Sequence, residues 1–541
     1  MTGPLRETKD PFVMPWMRGS RMLAAVFAGA SFIGLAQPAP AAPPEDDDEV
    51  QVDLEQVRAR RALLQFYEAR GQTPAWTANE SSSALDELLA AISDAGSHGL
   101  RPSDYHRQAL RRAIDAGDTD ATEVLATDAY LTLAAHLLGG RVDPISIEPT
   151  WTASRRERDL PKHLQAALEK GRIRASLAEL EPNAAGYGVL KDALAMYHSA
   201  KLDGGWQPVP PGPILRLGDS GPKVAALRER LGASGLLNTG DDADSSEFDI
   251  ELESAVAAFQ RRLGLEPDGI VGPLTLGQLN RTPKDRIDQI RANLERWRWL
   301  PEDLGPRHIR VNIADFRLEA RNRGDVERTH DVVVGRQYRK TPVFSAEMSY
   351  VVFNPWWETP PSIARQDKLP AFRQDPQSVT RLGFEILDRS GKRIDPATID
   401  WDRYSARDFP FRLRQQPGPQ NALGEVKMMF PNPHNVYLHD TPSRELFGRT
   451  ERAFSSGCVR VRDPIALSEW VLQQTPSWTP ERIEKVLKQN AEVRVNLAHK
   501  IPVHILYFTS VSEPDGSLRL INDVYGRDAP LIAALGTPPP R

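Results

Sequence analysis

The chain has 541 residues, of which 40% are hydrophobic and 26% charged, and its formal net charge at pH 7 is −5. That length exceeds what one hydrophobic core supports, so we expect roughly two to four domains. The mild acidity argues against a nucleic-acid partner, since such proteins normally carry a basic excess. Because the sequence contains one cysteine, an intramolecular disulfide is excluded.

The start of the sequence has the features of an export signal. A positive stretch ending at Arg21 precedes an apolar run at 22–36, and the small residues of an Ala-Pro-Ala cleavage site follow. The run is shorter than the roughly 20 residues of a bilayer-spanning helix, which favours cleavage over a membrane anchor. We therefore predict a signal peptide over 1–41 and an acidic, proline-rich linker over 42–51.

Residues 52–203 carry apolar side chains at helical spacing, for example Leu85, Leu88 and Ile92. Breaks that contain Gly or Pro separate the helical runs. The stretch has neither a nucleophile motif nor a cluster of metal-ligand residue types, so we interpret it as an α-helical scaffold domain.

Residues 213–281 form a second, smaller unit. Asp268-Gly269 is a turn-forming pair, and Thr275 is expected to bond the free N–H groups at a helix start. The LRLGD start, the AVAAFQ helix and the DGIVGP turn sequence resemble the small helical peptidoglycan-binding module. The resemblance implies binding to peptidoglycan, and the alternative is a spacer domain.

The pattern becomes mostly β over residues 283–530. Short runs such as 308–313 and 350–354 are alternating or apolar and rich in Val and aromatic residues. The segment at about 363–420 is long for a strand connection, so we expect an irregular lid or a surface insertion there. Residues 531–541 are assigned to a tail.

The residues suited to catalysis lie between a predicted strand and a predicted helix. His439 ends the strand, and Cys458 follows it before a helix that starts at Asp463-Pro464. A cysteine attacks as its thiolate, and a neighbouring imidazole can accept the thiol proton. Arg460 and the start of the helix add positive potential, which is expected to lower the pKa of the Cys458 thiol.

The SSGCVR sequence around Cys458, preceded by His439, resembles the catalytic motif of the YkuD-type L,D-transpeptidases. The longer members of that family share segments like those at 354–363 and 421–424. Ser456 stands where many relatives have a histidine. With the two upstream units, the resemblance is to the large Gram-negative subclass. The expected fold class is α+β: a mostly β catalytic domain, an α-helical scaffold domain and a small helical peptidoglycan-binding module.

The resemblance implies a cysteine acyltransferase in the periplasm that needs no metal or cofactor and is acylated by carbapenem-type β-lactams. Cys458 would attack a tetrapeptide stem between its diamino acid and D-Ala, with His439 as base and then acid. A second stem's side-chain amine would then resolve the thioester into a 3→3 cross-link. Membrane contact would come only through an uncleaved signal. The other implied site residues are Gly457 for the oxyanion hole, Asp440 for a carbonyl that orients the histidine, and Arg460, Tyr437, Ser456 and Trp357 for substrate binding.

Two alternatives use the same region differently. Water replacing the amine would give an L,D-carboxypeptidase or endopeptidase, and an inactive site would leave a wall-binding protein. The intact set of Cys458, His439 and Arg460 argues against the inactive site. A metallopeptidase is disfavoured, because neither an HEXXH nor an HXXEH motif occurs in the sequence.

Overall fold

The computed structural model describes residues 57–77, 82–238 and 245–539. The predicted signal peptide and the linker after it lie outside these ranges. Within them, we find no helix with the length and apolar character that crossing a membrane requires.

The first domain is built from helices around the long, buried α4. Asp118 caps α4 by accepting a hydrogen bond from the Ala121 N–H. The buried Glu123 accepts hydrogen bonds from the backbone N–H groups of Trp76 and Thr77, at 2.8 and 2.7 Å, and so anchors the preceding loop. The helices are α1 (Arg60–Ala69), α2 (Ser82–Asp94), α3 (Arg107–Ala116), α4 (Thr119–Gly139), α5 (Pro144–Ile147), α6 (Leu160–Glu169), α7 (Ile173–Ala178) and α8 (Ala185–Leu202).

The second unit packs three helices around a small apolar core: α9 (Pro222–Gly232), α10 (Ile250–Arg262) and α11 (Pro273–Leu279). Gln260 holds the turn before α11, because its amide donates to the Ile270 carbonyl and accepts from the Gly269 N–H, both at 2.9 Å. Gly272 is the N-cap of α11, and Thr275 is buried and accepts from Gln260. The expectation that Thr275 caps the helix is therefore wrong.

Helix α12 (Pro283–Arg298) contacts all three parts of the chain. It packs against α8, against the C-terminal helix and against the last hairpin. Two of its arginines are buried and paired with carboxylates: Arg298 meets Glu295 at 2.5 Å, and Arg296 meets Asp528 at 2.6 Å. A helix with so many charged residues is expected at a surface, and these pairs explain how it is accommodated inside.

The remaining residues form the strand-rich domain. Its helices are α13 (Pro361–Ile363), α14 (Leu369–Gln374), α15 (Ser378–Arg381), α16 (Pro464–Leu472), α17 (Pro480–Leu487) and α18 (Asp528–Gly536). Its strands are β1 (Arg307–Asn312), β2 (Arg317–Asn322), β3 (Asp325–Gly335), β4 (Phe344–Phe353), β5 (Trp357–Glu358), β6 (Phe384–Leu387), β7 (Arg393–Ile394), β8 (Arg412–Gln415), β9 (Val426–Met429), β10 (Leu438–His439), β11 (Ala453–Ser455), β12 (Val459–Val461), β13 (Val493–Leu506), β14 (Ser510–Ser512) and β15 (Leu518–Leu520).

The main sheet has the strand order β11-β3-β12-β10-β9-β4-β13-β1-β2, and β2 also pairs with β3, which closes the sheet on itself. Alternate side chains point inward into a core of Val, Ile, Leu and Phe residues. The short strands β10 and β12 are parallel neighbours inside this sheet. Because both sides of β10 and β12 are paired, their register is closely defined.

The segment at about 363–420 is folded, so the expectation of an irregular segment is wrong. It forms a four-stranded sheet in the order β5-β8-β6-β7, together with α13 to α15. Trp357, Phe372, Phe384 and Trp401 pack in its own core. The elements are two to six residues long, too short for a periodic pattern to stand out in the sequence.

The assignment of residues 531–541 to a tail is also wrong for the part that the structure describes. Leu531 and Leu535 of α18 are buried against α12. Arg141 of the first domain donates a hydrogen bond to the Ala534 carbonyl at 3.0 Å. The C-terminal helix therefore joins the first domain to the last.

The pair of Arg298 and Glu295 provides a test of how α12 is stabilised. Both side chains are fully buried, so Arg298→Met leaves a buried carboxylate unpaired and should lower the free energy of unfolding by about 3–5 kcal/mol. The matched control is Lys284→Met on the same helix, whose side chain is 68% exposed and pairs with Asp288. That change should cost less than about 1 kcal/mol. Urea unfolding of both variants measures the difference, and equal small shifts would contradict the assigned role.

Candidate active site

The sheet brings His439 and Cys458 onto one face. Strands β10 and β12 align Leu438 with Val459 and His439 with Arg460. Leu438 and Val459 are fully buried in the core, so the residues on either side of them point to the opposite face. Cys458, His439 and Arg460 accordingly border the same groove.

Cys458 lies in a tight turn between β11 and β12. Gly457 has a φ of 117°, a backbone conformation that residues other than glycine rarely adopt. Ser455 Oγ donates to the Cys458 carbonyl at 2.5 Å and accepts from the Gly457 N–H at 3.1 Å. Thr341 Oγ1 donates to the Gly457 carbonyl at 2.9 Å. These bonds position the thiol.

The arrangement changes the expected oxyanion hole. The Gly457 N–H already donates to Ser455 Oγ, so it is not free in this state. The Cys458 N–H has no backbone acceptor among the described residues. The Cys458 N–H is therefore the donor better placed to meet an oxyanion on the carbon that the thiol attacks.

His439 is buried and held in one orientation. Its Nδ1 lies 2.5 Å from the backbone carbonyl of Asp440, to which it donates as the Nδ1–H tautomer, leaving Nε2 as the acceptor. The Asp440 carboxylate is occupied elsewhere, since it accepts from the Glu425 N–H at 2.9 Å and lies 3.4 Å from Arg444. The structure thus places the Asp440 carbonyl, not its carboxylate, beside the imidazole.

Tyr437 precedes His439 on the same face, with ring centroids 5.6 Å apart. A hydrogen bond from its phenol lowers the pKa of the Cys458 thiol, and the nearby thiol in turn raises the pKa of the phenol beyond the effect of burial. Trp357 is buried in the core of the insertion and also lines the groove. Its indole hydrogen-bonds the Tyr437 phenol, which lowers the pKa of that phenol.

The groove has a volume of about 960 Å³ and a basic lining. Cys458 is partly exposed in it. Ser456 lies exposed at the rim, where its hydroxyl accepts a hydrogen bond from Arg339 at 3.0 Å. Among the described residues that line the groove, one is acidic, Asp367. Five are arginine or lysine: Arg336, Arg339, Lys340, Lys368 and Arg460.

Three residues of the site were missed from the sequence. Ser455 belongs to the motif but was given no task, and Thr341 and Arg339 lie more than 110 positions before the cysteine. The β3–β4 loop that carries the latter two has no catalytic signature of its own. Only the pairing of β3 with β11 and β12 reveals that this loop lies beside the nucleophile.

Family models match three parts of the chain. One described as "Scaffold domain" matches residues 61–194, and one described as "Putative peptidoglycan binding domain" matches residues 220–279. A third, the YkuD model described as "L,D-transpeptidase catalytic domain", matches residues 306–486. Residues 306–486 belong to the YkuD family of L,D-transpeptidase catalytic domains. The recognised resemblance and the α+β class with three kinds of domain are thereby confirmed.

The YkuD domain also relates the chain to a "Putative L,D-transpeptidase" of Haemophilus influenzae, which is 37% identical over 240 residues. These residues are 44% of this chain and 48% of the Haemophilus protein, so the match spans about half the length of that relative. An "N-acetylmuramoyl-L-alanine amidase CwlL" of Bacillus licheniformis is 44% identical over 64 residues, which are 12% of this chain and 18% of that protein. A solved L,D-transpeptidase from Stackebrandtia nassauensis is 14% identical, and the match covers 56% of this chain and 97% of that chain with a TM-score of 0.21.

The electrostatics of the YkuD site do not favour a preformed thiolate–imidazolium pair. Burial raises the pKa of the Cys458 thiol, and the opposing effect of Arg460 is smaller. Burial together with the charge of Arg460 lowers the pKa of His439 to about 3. The start of α16 is separated from the thiol by β12, and Asp463 makes no side-chain cap there. The expectation of a depressed thiol pKa is therefore wrong, because desolvation outweighs the positive neighbours.

These pKa shifts predict the pH dependence of thiol reactivity. Alkylation of Cys458 by iodoacetamide should rise in one step whose midpoint lies above the about 8.5 of a free cysteine. A second step near pH 6.5 is not expected, because His439 stays neutral far below that pH. Arg460→Gln removes a charge that lowers the thiol pKa and should move the midpoint to higher pH. Rate measurements from pH 5 to 10 test this, and a midpoint below 8 would contradict it.

Proposed function

We propose that the protein is an L,D-transpeptidase that forms 3→3 cross-links in peptidoglycan through a thioester on Cys458. The observation that carries the proposal is the common face of β10 and β12, where Cys458, His439 and Arg460 meet and the Asp440 carbonyl fixes the imidazole. A nucleophile, an oriented base and a cation within one groove are the parts that acyl transfer requires.

The reaction has two acyl transfers. The Cys458 sulfur attacks the carbonyl of the diamino acid while His439 Nε2 takes the thiol proton. The C–N bond to D-Ala breaks, and the imidazolium returns the proton to the leaving amine. In the second step the side-chain amine of another stem attacks the thioester, its proton passes to His439, and the thiol is restored.

The basic lining of the groove supports an anionic substrate. Peptidoglycan stems carry carboxylates, and Arg460 lies next to His439 in the register of β10 and β12. The charge of Arg460 is one cause of the low pKa of His439. A stem carboxylate paired with Arg460 would offset that charge and raise the pKa of His439, which makes it a better base. Substrate binding would in this way activate the base.

The proposal includes export to the periplasm. Its support is the charged, then apolar, then small-residue pattern over residues 1–41, together with a substrate that lies outside the inner membrane.

The experiment is mass spectrometry of muropeptides after incubation of the purified protein with tetrapeptide-bearing peptidoglycan. We expect 3→3 cross-linked dimers from the wild-type chain and none from Cys458→Ala. His439→Ala should lower the rate by about 10²–10⁴-fold, the range for a general base. A Cys458→Ala protein that still cross-links would refute the mechanism.

The same digest separates the alternatives. Tripeptides without dimers would indicate the carboxypeptidase, in which water resolves the thioester. Unchanged muropeptides with retained binding would indicate a wall-binding protein. Parallel incubation with EDTA should leave the product yield unchanged if no metal takes part.

The insertion at about 363–420 is proposed to act as a cover of the groove. Arg339 joins it to the nucleophile turn, because its guanidinium pairs with Asp367 at 2.5 Å and donates to Ser456. Closure over a thioester would keep water away from it. Since the insertion has its own core, removing residues 370–410 would expose apolar surface, and a point change is the sharper test.

We predict that Asp367→Asn weakens the closed state. An ion pair of this exposure is worth about 0.2–1 kcal/mol, so the ratio of hydrolysed to cross-linked product should rise about two- to fivefold. The matched control is Asp375→Asn, which breaks the pair with Arg381 elsewhere in the insertion. Equal product ratios in the two variants would mean that the ion pair of Arg339 with Asp367 does not control the entry of water.

A further inference from the structure

A second cavity, here called the junction pocket, lies where the three parts of the chain meet. Its volume is about 500 Å³, and it shares no lining residue with the groove of Cys458. Its walls come from α8, the linker before the second unit, α9 and α10, α12 and the β14–β15 hairpin. The residues that carry the argument are Asp192, Tyr197, Trp206, Arg230, Phe259 and Arg286.

Two buried arginines of this pocket have no carboxylate partner. Six arginines of the described chain are buried, and four of them pair with a carboxylate: Arg141 with Asp104, Arg228 with Asp249, Arg296 with Asp528 and Arg298 with Glu295. The exceptions are Arg230 and Arg286, which are 4% and 3% exposed. A buried cation without a counter-charge lowers the stability of the fold, so the burial of Arg230 and Arg286 calls for an explanation.

The hydrogen bonds of these two arginines satisfy only part of each guanidinium. Arg230 Nε donates to the Leu279 carbonyl at 2.8 Å, and Nη1 donates to Ser234. Arg286 Nη2 donates to the carbonyl and to the side-chain oxygen of Gln278, at 2.9 and 3.0 Å, and Nη1 donates to Gln289 Oε1 at 3.4 Å. In the part of the chain that the structure describes, Arg230 Nη2 and Arg286 Nε have no acceptor. Burial and the neighbouring charge of Arg286 lower the pKa of Arg230 to about 10.

Aromatic rings hold Arg230 in place and give the pocket an apolar side. The guanidinium carbon of Arg230 lies 4.1 Å from the ring centre of Trp206 and 5.9 Å from that of Phe259. Trp206 packs edge-on against Tyr197, with ring centroids 6.2 Å apart. Met196, which is 57% exposed, borders the same cavity. A ligand here would meet fixed cations next to apolar surface.

We propose that the junction pocket binds a peptide that ends in a carboxylate, with the chemistry of a peptidoglycan stem, at a site separate from the catalytic groove. The planar forks of Arg230 and Arg286 suit a carboxylate. The small apolar side chains of a stem match the Trp206 side of the pocket. The exposed Asp192, which also lines the pocket, can meet the free amine of a diamino acid.

The size and location of the pocket support this assignment. A volume of 500 Å³ is in the usual range for a small ligand. The peptidoglycan-binding family model covers residues 220–279 and so includes Arg230 but not α8, Trp206, Arg286 or the hairpin. The inference rests on peptidoglycan as the substrate of the chain and adds a site that needs all three units.

The test uses the full chain with Cys458→Ala, so that no turnover occurs. A stem tetrapeptide with a photoreactive diazirine on its N-terminus is irradiated with this protein, and labelled positions are mapped by mass spectrometry. We expect label on peptides that contain Tyr197, Trp206 or Leu518. Arg230→Gln and Arg286→Gln should each lower that label about tenfold or more, in line with loss of a charged hydrogen bond. Arg261→Gln, which changes an exposed arginine on helix α10 of the same unit as Arg230, is the matched control and should keep the label.

The ligand also provides a test that does not depend on whether a variant folds. The C-terminal amide of the same peptide should label the junction pocket about tenfold less than the free acid. Equal labelling by acid and amide, or label confined to the groove, would overturn the proposal. Equal labelling by an unrelated L-peptide of the same charge would overturn the stem assignment. Junction label without groove label would instead contradict the proposed function and leave this site standing.

Discussion

Helix α12 lies at the centre of the molecule and is held there by buried charges. Arg298 and Glu295 pair within the helix, and Arg298 also donates to the His98 carbonyl of the first domain at 2.8 Å. Arg296 reaches Asp528 of the C-terminal helix. A buried ion pair permits little movement of its two partners, because separating them leaves an unpaired charge in the interior and destabilises the fold. The first domain and the strand-rich domain are therefore aligned by polar contacts that permit few alternative packings.

That alignment extends to the catalytic groove. Thr150 of the first domain lines it and exchanges hydrogen bonds with the backbone of Val343, at 3.2 and 3.3 Å. Val343 follows the loop that carries Thr341 and Arg339, the residues that hold the nucleophile turn. One wall of the groove thus depends on a domain that contributes no nucleophile, base or cation to the reaction. The scaffold has a physical task in positioning this loop.

The catalytic core could be predicted from the sequence because its residues are close together in the chain and chemically distinctive. Cys458 and His439 were predicted from one short stretch, and the structure places Cys458 in the turn just before β12, beside the strand β10 that ends with His439. The groove could not be predicted in the same way, since long-range strand pairing is what brings Arg339 and Thr341 next to the Cys458 turn. The effect of burial on the Cys458 thiol is equally invisible in a sequence, where only the nearby positive charges can be counted. The insertion escaped prediction because its strands are short and its apolar residues are dispersed.

The raised pKa of the Cys458 thiol has a consequence for damage by oxidants. Peroxides and disulfides react with thiolates rather than thiols. A site that raises the pKa of Cys458 lowers the fraction of the reactive thiolate. The desolvation that raises the pKa of the Cys458 thiol should therefore slow the oxidation of Cys458 to sulfenic acid. A chain with one cysteine has no second thiol to resolve such a lesion as an internal disulfide, so a low thiolate fraction is its intrinsic protection.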